Sequence, residues 1–148
     1  MARVSTTQRS HMMASVKKKH SKPELKVRSY LHRQGLRFTL HDRRLPGTPD
    51  IALPKYRTVI FVHGCFWHRC PHCSVGKQQI RWNLGYWLPK LERNQARDIK
   101  AQQDLSEAGW RSLVVWECQV VDERVLRKLL DNVRRYSTVA QLRALQLS

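Results

Sequence analysis

Between His63 and Cys73 the chain reads HGCFWHRCPHC, which holds three of its four cysteines and three of its seven histidines, with Phe66 and Trp67 between them. Thiolates are soft metal ligands, imidazoles carry protons near neutral pH, and bare aromatic rings stack on flat partners. The Cys70-x-x-Cys73 spacing lets two thiolates converge from one turn. Cys65 lies just upstream, and Cys118 closes an apolar run much later in the chain. Together they supply the four ligands that zinc takes in a tetrahedron, with His72 in reach of the same point as an alternative to Cys70. Four protein ligands leave no open position, so such a zinc is structural.

Asp50 follows the turn-forming PGTP and offers hard oxygen to Mg²⁺; its plainer role would be that of a turn or cap residue. His63 and His68 bracket the aromatic pair, and a neutral imidazole there can deprotonate an attacking water. Glu24 completes a Ser21-x-x-Glu24 capping box, which by itself explains it. Asp98 and Asn94 stand four residues apart and share one helix face, where Asn94 reads as a solvated side chain. Phe66 and Trp67 sit where no apolar period demands them, and rings so placed can be pushed between base steps. Tyr86 and Trp87 open a long helix and supply a second wedge, although Trp87 suits a core equally well. Trp110 and Trp116 read as core residues.

These side chains need a scaffold, and the chain is long enough for one. Its 148 residues, 41% apolar, fit a single domain with one core over residues 21–148, preceded by a basic, flexible arm over residues 1–20. SKPELKVRSYLHRQG starts and stops as a helix, with Ser21 as cap, Pro23 in the first turn, Leu25, Tyr30 and Leu31 along one face, and Gly35 as terminator. LRFTLH alternates as a half-buried strand. After the LPGTPD turn, IALP and RTVIFVHG read as adjacent strands, and an antiparallel hairpin would bring Asp50 and His63 to one end. WLPKLERNQARDIKAQQDLSEAG reads as a long helix beginning near Pro89, with Leu88, Leu91, Ile99 and Leu105 facing the core and Gly109 as its stop. WRSLVVWEC is then a core strand and DERVLRKLLDNVRRY a closing amphipathic helix. The order predicts an α/β architecture, a central mixed sheet with helices on its faces.

Charge narrows the partner. Twenty-eight Lys and Arg against 11 Asp and Glu give +17 and a pI near 10.6, spread along the chain. A surface of this kind binds polyanions by releasing counterions. The longest apolar run, TVIFV, is too short to cross a bilayer, and the N-terminus has no signal-peptide apolar region. A cytoplasmic, nucleoid-associated, nucleic-acid-facing protein is the expectation, and cysteines beside histidines without an export signal favour metal over disulfides.

Four blocks, SKPELKVRSYL, LPGTPDIALPKYRTVIFVHGCFWH, YWLPKLERNQARD and GWRSLVVWEC, resemble the very short patch repair (Vsr) endonuclease family over roughly residues 10–120. The resemblance implies a restriction-endonuclease-like fold of the PD-(D/E)xK type with a structural zinc. It implies a Mg²⁺-dependent, single-strand nick on the 5′ side of the thymine in a T:G mismatch, the lesion left by deamination of 5-methylcytosine. A cytosine-5 DNA methyltransferase would be the functional companion and a monomer the working form.

Carried over by position, Asp50 matches the family's metal-binding aspartate, His68 its general base and His63 a second active-site histidine. Glu24 and Asp98 match carboxylates linked to the metal's waters and the catalytic network. Phe66, Trp67 and Trp87 match rings that intercalate beside the mismatch, and Cys65, Cys70, Cys73 and Cys118 occupy the zinc block. The zinc loop is one residue longer than in the familiar form, Val62 replaces a threonine, and SVGKQQIRWNLG departs from the usual connection. The superfamily lysine after the second strand is missing, and His68 would take its place as proton acceptor. Two other readings keep parts of this pattern: a restriction-type nuclease indifferent to mismatches, and a zinc-stabilised DNA-bending protein without catalysis.

Overall fold

The computed structural model describes residues 21–147, with side chains through residue 135. The basic arm expected over residues 1–20 lies outside the described residues. Helix α1 (Lys22–Arg33) opens on Ser21, whose hydroxyl accepts the Glu24 N–H at 3.4 Å, with Pro23 in the first turn. Gly35, at φ +86°, ends it as a Schellman cap, its N–H on His32 O and that of Leu36 on Leu31 O. The face turned inward carries Glu24, Val27, Tyr30 and Leu31; Leu25, expected there, is exposed.

The sheet is short and mixed. Strands β1 (Thr39–Leu40), β2 (Ile51–Leu53), β3 (Thr58–His63) and β4 (Arg111–Trp116) lie in that order. β1, β2 and β3 pair antiparallel, with Ile51 opposite Ile60, whereas β3 and β4 run parallel with His63 opposite Trp116. The strand expected over LRFTLH shrinks to two exposed residues, because this edge has only one partner and turns away at His41, whose φ is +49°.

Side chains alternate across the sheet and split the core in two. Ile51, Leu53, Ile60 and Val115 pack against Val27 and Leu31 of α1 and against Leu126, Leu130 and Val133 of α4 (Glu123–Leu147). Ala52, Val59 and Phe61 meet Ala101 and Leu105 of α3 (Leu84–Glu107) on the opposite face. Between β3 and α3 sits one turn of helix, α2 (Ser74–Lys77). A parallel β3–β4 pair requires a crossover, and α3 is that crossover.

Helix α3 starts at Leu84, so Pro89 lies inside it. Its inward stripe is Trp87, Leu91, Ala101 and Leu105, with Asn94 and Asp98 half-buried along the same side. Leu88 and Ile99, expected in the core, are 44% and 59% exposed because at 100° per residue they fall to one side of that stripe. No helix among the described residues is long and apolar enough to cross a membrane.

Candidate active site and thiol cluster

The β2–β3 hairpin delivers Asp50 and His63 to one end of the sheet. Asp50 lies just before β2, where its Oδ2 accepts the Val62 N–H at 2.7 Å. Burial pushes its carboxyl up to about 6; the Val62 bond opposes this, while the nearby Glu24 charge adds to it.

His63 ends β3 and is 5% exposed. His68 lies over it, ring centroids 3.9 Å apart and planes 6° from parallel. Burial first, then repulsion from His68, lowers His63 to about 4, with Asp98 pulling the other way. His63 is therefore neutral at pH 7. Asp98, on the inward side of α3, sets its Oδ2 2.6 Å from His68 Nδ1 and its Oδ1 3.9 Å from His63 Nε2. In a neutral His68, a carboxylate that only accepts places the hydrogen on Nδ1 and leaves the Nε2 lone pair free. That is the tautomer a general base needs.

Glu24 lies on the other side of Asp50. Its side chain is 2% exposed and does not reach back along the helix as a capping box would; Oε1 lies 2.7 Å from His41 Nε2. Oε2 has no hydrogen-bond partner among the described residues. His41 Nδ1 faces Asp50 Oδ1 at 4.0 Å. Glu24, His41 and Asp50 each bring a ligand atom within 4.8 Å of the others, as do His63, His68 and Asp98. Sequence reasoning missed His41. The one signal was its place after an alternating strand, and only the left-handed backbone turns its ring inward.

The aromatic pair is present but not free. Trp87 is the buried hub, 1% exposed, with ring centroids of Phe66, Trp67, Trp82 and Tyr86 between 4.8 and 5.7 Å away. Of the two readings of Trp87, wedge and core, the packing here is that of a core ring. Phe66 and Trp67 are half-buried against it. Lys90 holds its ammonium 5.0 Å from the Trp67 ring and 5.3 Å from Tyr86. Asn94, expected to be solvated, instead donates to the Trp67 carbonyl at 3.2 Å. Trp110 and Trp116 are half-buried, the first under the Arg57 guanidinium and the second edge-on to His63.

Cys65, Cys70, Cys73 and Cys118 bring their sulfurs within 4.8 Å of one another, with no disulfide among them. The Cys70 sulfur accepts the His72 N–H at 3.3 Å, and hydrogen bonding from Gly76 first among its causes lowers Cys73 to about 7. The His72 side chain is exposed and is not among the four groups whose ligand atoms converge. Gly76 was also overlooked in the sequence: a Cβ there would come within 2.1 Å of the Cys70 carbonyl oxygen. A hollow of about 350 Å³ lined by Gln78, Gln79, Arg81 and Trp82 includes none of the carboxylates or histidines above.

Residues 2–74 match the family model described as DNA mismatch endonuclease Vsr. The chain is 47% identical over 88% of its length to the type II nicking enzyme V.XorIIP of Xanthomonas oryzae pv. oryzae, covering 95% of that protein. It is 40% identical to the type II nicking enzyme V.NmeAIP of Neisseria meningitidis over 88% of this chain and 91% of that one. It is 39% identical to the DNA mismatch endonuclease Vsr of Escherichia coli over 90% and 88% of the two chains. These likenesses make the chain a nuclease, an enzyme that hydrolyses phosphodiester bonds. It belongs to the Vsr DNA mismatch endonuclease family.

Proposed function

We propose that this enzyme nicks one strand of duplex DNA on the 5′ side of the thymine in a T:G mismatch, with Mg²⁺ at Asp50 and a structural zinc on the four thiols. The reading includes a restriction-endonuclease-like fold, a monomer as working form and a cytosine-5 DNA methyltransferase as genetic companion. The observation that carries it is the His68–Asp98 pair, set within one loop of Phe66 and Trp67 and across from Asp50. The donor sets fit both ions. Four convergent sulfurs suit zinc, whereas Asp50 and the buried Glu24, whose Oε2 has no hydrogen-bond partner among the described residues, suit a hard divalent cation.

Each residue then has a task. The divalent cation, when bound, supplies Lewis-acid neutralisation of charge at the scissile phosphate. His68 Nε2 accepts a proton from the attacking water, and Asp98 holds the ring in that tautomer and stabilises the imidazolium that results. Neutral, buried His63 gives His68 a flat surface that fixes the height of its ring. Phe66 and Trp67 unstack the duplex at the mispair, where unstacking costs least. The +17 charge draws the backbone in, and binding should fall as salt rises.

The names of the relatives, nicking enzymes among them, favour one cut strand over two. The test compares matched and T:G duplexes of one sequence, with Mg²⁺, for wild type, Asp50→Ala and His68→Ala. Both variants should lose nicking of the mispaired strand. Equal cutting of matched DNA would select a restriction-type nuclease. Binding and bending with no strand break at any Mg²⁺ concentration would select a non-catalytic protein.

A further inference from the structure

We propose that His41 is a direct ligand in the divalent-cation site, so that Glu24, His41 and Asp50 form a mixed nitrogen and oxygen set that favours a divalent transition ion, Mn²⁺ included, over Mg²⁺. The proposal rests on the reading above that a cation binds at Asp50.

The three groups converge in this structure, and the Glu24–His41 contact would open slightly to admit an ion between them. The imidazole spans the gap between two carboxylates, Nε2 at 2.7 Å from Glu24 and Nδ1 facing Asp50 at 4.0 Å. Ligand atoms around one small cation sit about 3–4 Å apart when each bond is near 2.1 Å. The three residues already bring theirs within 4.8 Å.

Burial points the same way independently. Glu24 is 1% exposed, the only charged side chain among the largest fully buried ones, and its Oε2 meets no hydrogen-bond donor among the described residues. A buried carboxylate so placed is costly unless a cation completes it. The sequence also holds His41 there at some cost to the backbone. Its φ of +49° is a conformation non-glycine residues rarely take, and the His41 N–H bond to the Asp50 carbonyl, 3.2 Å, ties that turn to the strand carrying the aspartate. An imidazole raises affinity for transition ions along the series from Mn²⁺ upward, whereas Mg²⁺ gains little from nitrogen.

The experiment uses the full zinc-loaded chain without DNA and Mn²⁺ as the probe, since Mn²⁺ does not compete for thiolates. Binding is followed by loss of the free-ion EPR signal and ligation by pulsed EPR, which detects a directly bound imidazole nitrogen. Wild type should bind one Mn²⁺ with nitrogen modulation that survives in the His63→Gln, His68→Gln double variant. In His41→Gln, which keeps an amide able to donate to Glu24, the modulation should vanish and Kd rise by at least about tenfold, the effect of losing even an outer-shell partner. Glu24→Gln should weaken binding and keep the modulation. Zinc content reports whether each variant is folded.

Absence of nitrogen modulation in wild type overturns the proposal even if His41→Gln does not fold. So does an unchanged spectrum in His41→Gln, which would leave His41 a positioning residue. Those outcomes spare the Asp50 reading so long as Asp50→Asn abolishes Mn²⁺ binding. If Asp50→Asn binds Mn²⁺ as wild type does, that reading falls as well.

Discussion

Asp98 Oδ2 lies 2.6 Å from Nδ1 of His68, joining the long crossover helix to the loop that follows β3. One oxygen thus bears on which nitrogen of a neutral His68 carries the hydrogen. An amide at position 98 can donate to Nδ1 instead and would leave the hydrogen on Nε2. Asp98→Asn should therefore slow single-turnover nicking of a T:G duplex by about 10²–10⁴-fold, the range for losing a general base. Duplex affinity should change little. A rate within a factor of two of wild type would remove Asp98 from the mechanism.

Asp50 gives a stability prediction whose sign follows from burial. Its folded value, about 6, exceeds the ordinary 3.8, so the native state holds the proton more tightly than the unfolded chain. That contribution is full below about 3.8 and is lost as pH rises through about 6. A carboxamide in its place cannot ionise. Without added Mg²⁺, Asp50→Asn should be more stable than wild type at pH 7.5 by on the order of 1–3 kcal/mol, and the gap should close as the pH is lowered. Denaturant melts at several pH values measure it; a gap that widens toward acid would contradict the burial argument.

The aromatic cluster holds one fully buried ring, Trp87, and one half-buried ring, Trp67. Trp87, 1% exposed, should cost about 3–5 kcal/mol when cut to alanine. Trp67→Ala should cost less stability and more recognition, narrowing the preference for T:G over matched duplex by about 1–3 kcal/mol. Equal stability losses with no change in preference would mean neither ring leaves the cluster.

The thiol cluster makes a prediction from a residue with no side chain. Gly76→Ala forces a Cβ onto the Cys70 backbone and should lower bound zinc below one per chain, with a lower melting temperature. His72→Ala should keep the full zinc content, because the four sulfurs converge without its imidazole. Elemental analysis of purified protein decides both.

Much of this architecture was legible because local chemistry announces it. Ser21, Pro23 and Gly35 mark a helix, the PGTP turn marks a hairpin, and the unbroken apolar run in TVIFVH marks a strand buried on both faces. Spacing groups Cys65, Cys70 and Cys73 with His72 as an alternative, and Cys118 joins them through the strand it follows. What escaped depends on directions that periodicity does not fix. Leu88 and Ile99 have core chemistry but stand beside the buried stripe, and Glu24 has a capping residue's spacing but turns toward His41. His41 and Gly76 work through a left-handed turn and a close backbone approach, which depend on partners distant in sequence.

Trp87 and Asp98 ride on the same helix, three turns or about 16 Å apart along its axis. A continuous helix resists stretching, so the aromatic cluster anchored by Trp87 and the His68–Asp98 pair keep a constant separation. The helix is therefore a strut: removing one turn between those residues would carry the Asp98 carboxylate out of reach of His68 while leaving Trp87 beneath its neighbouring rings.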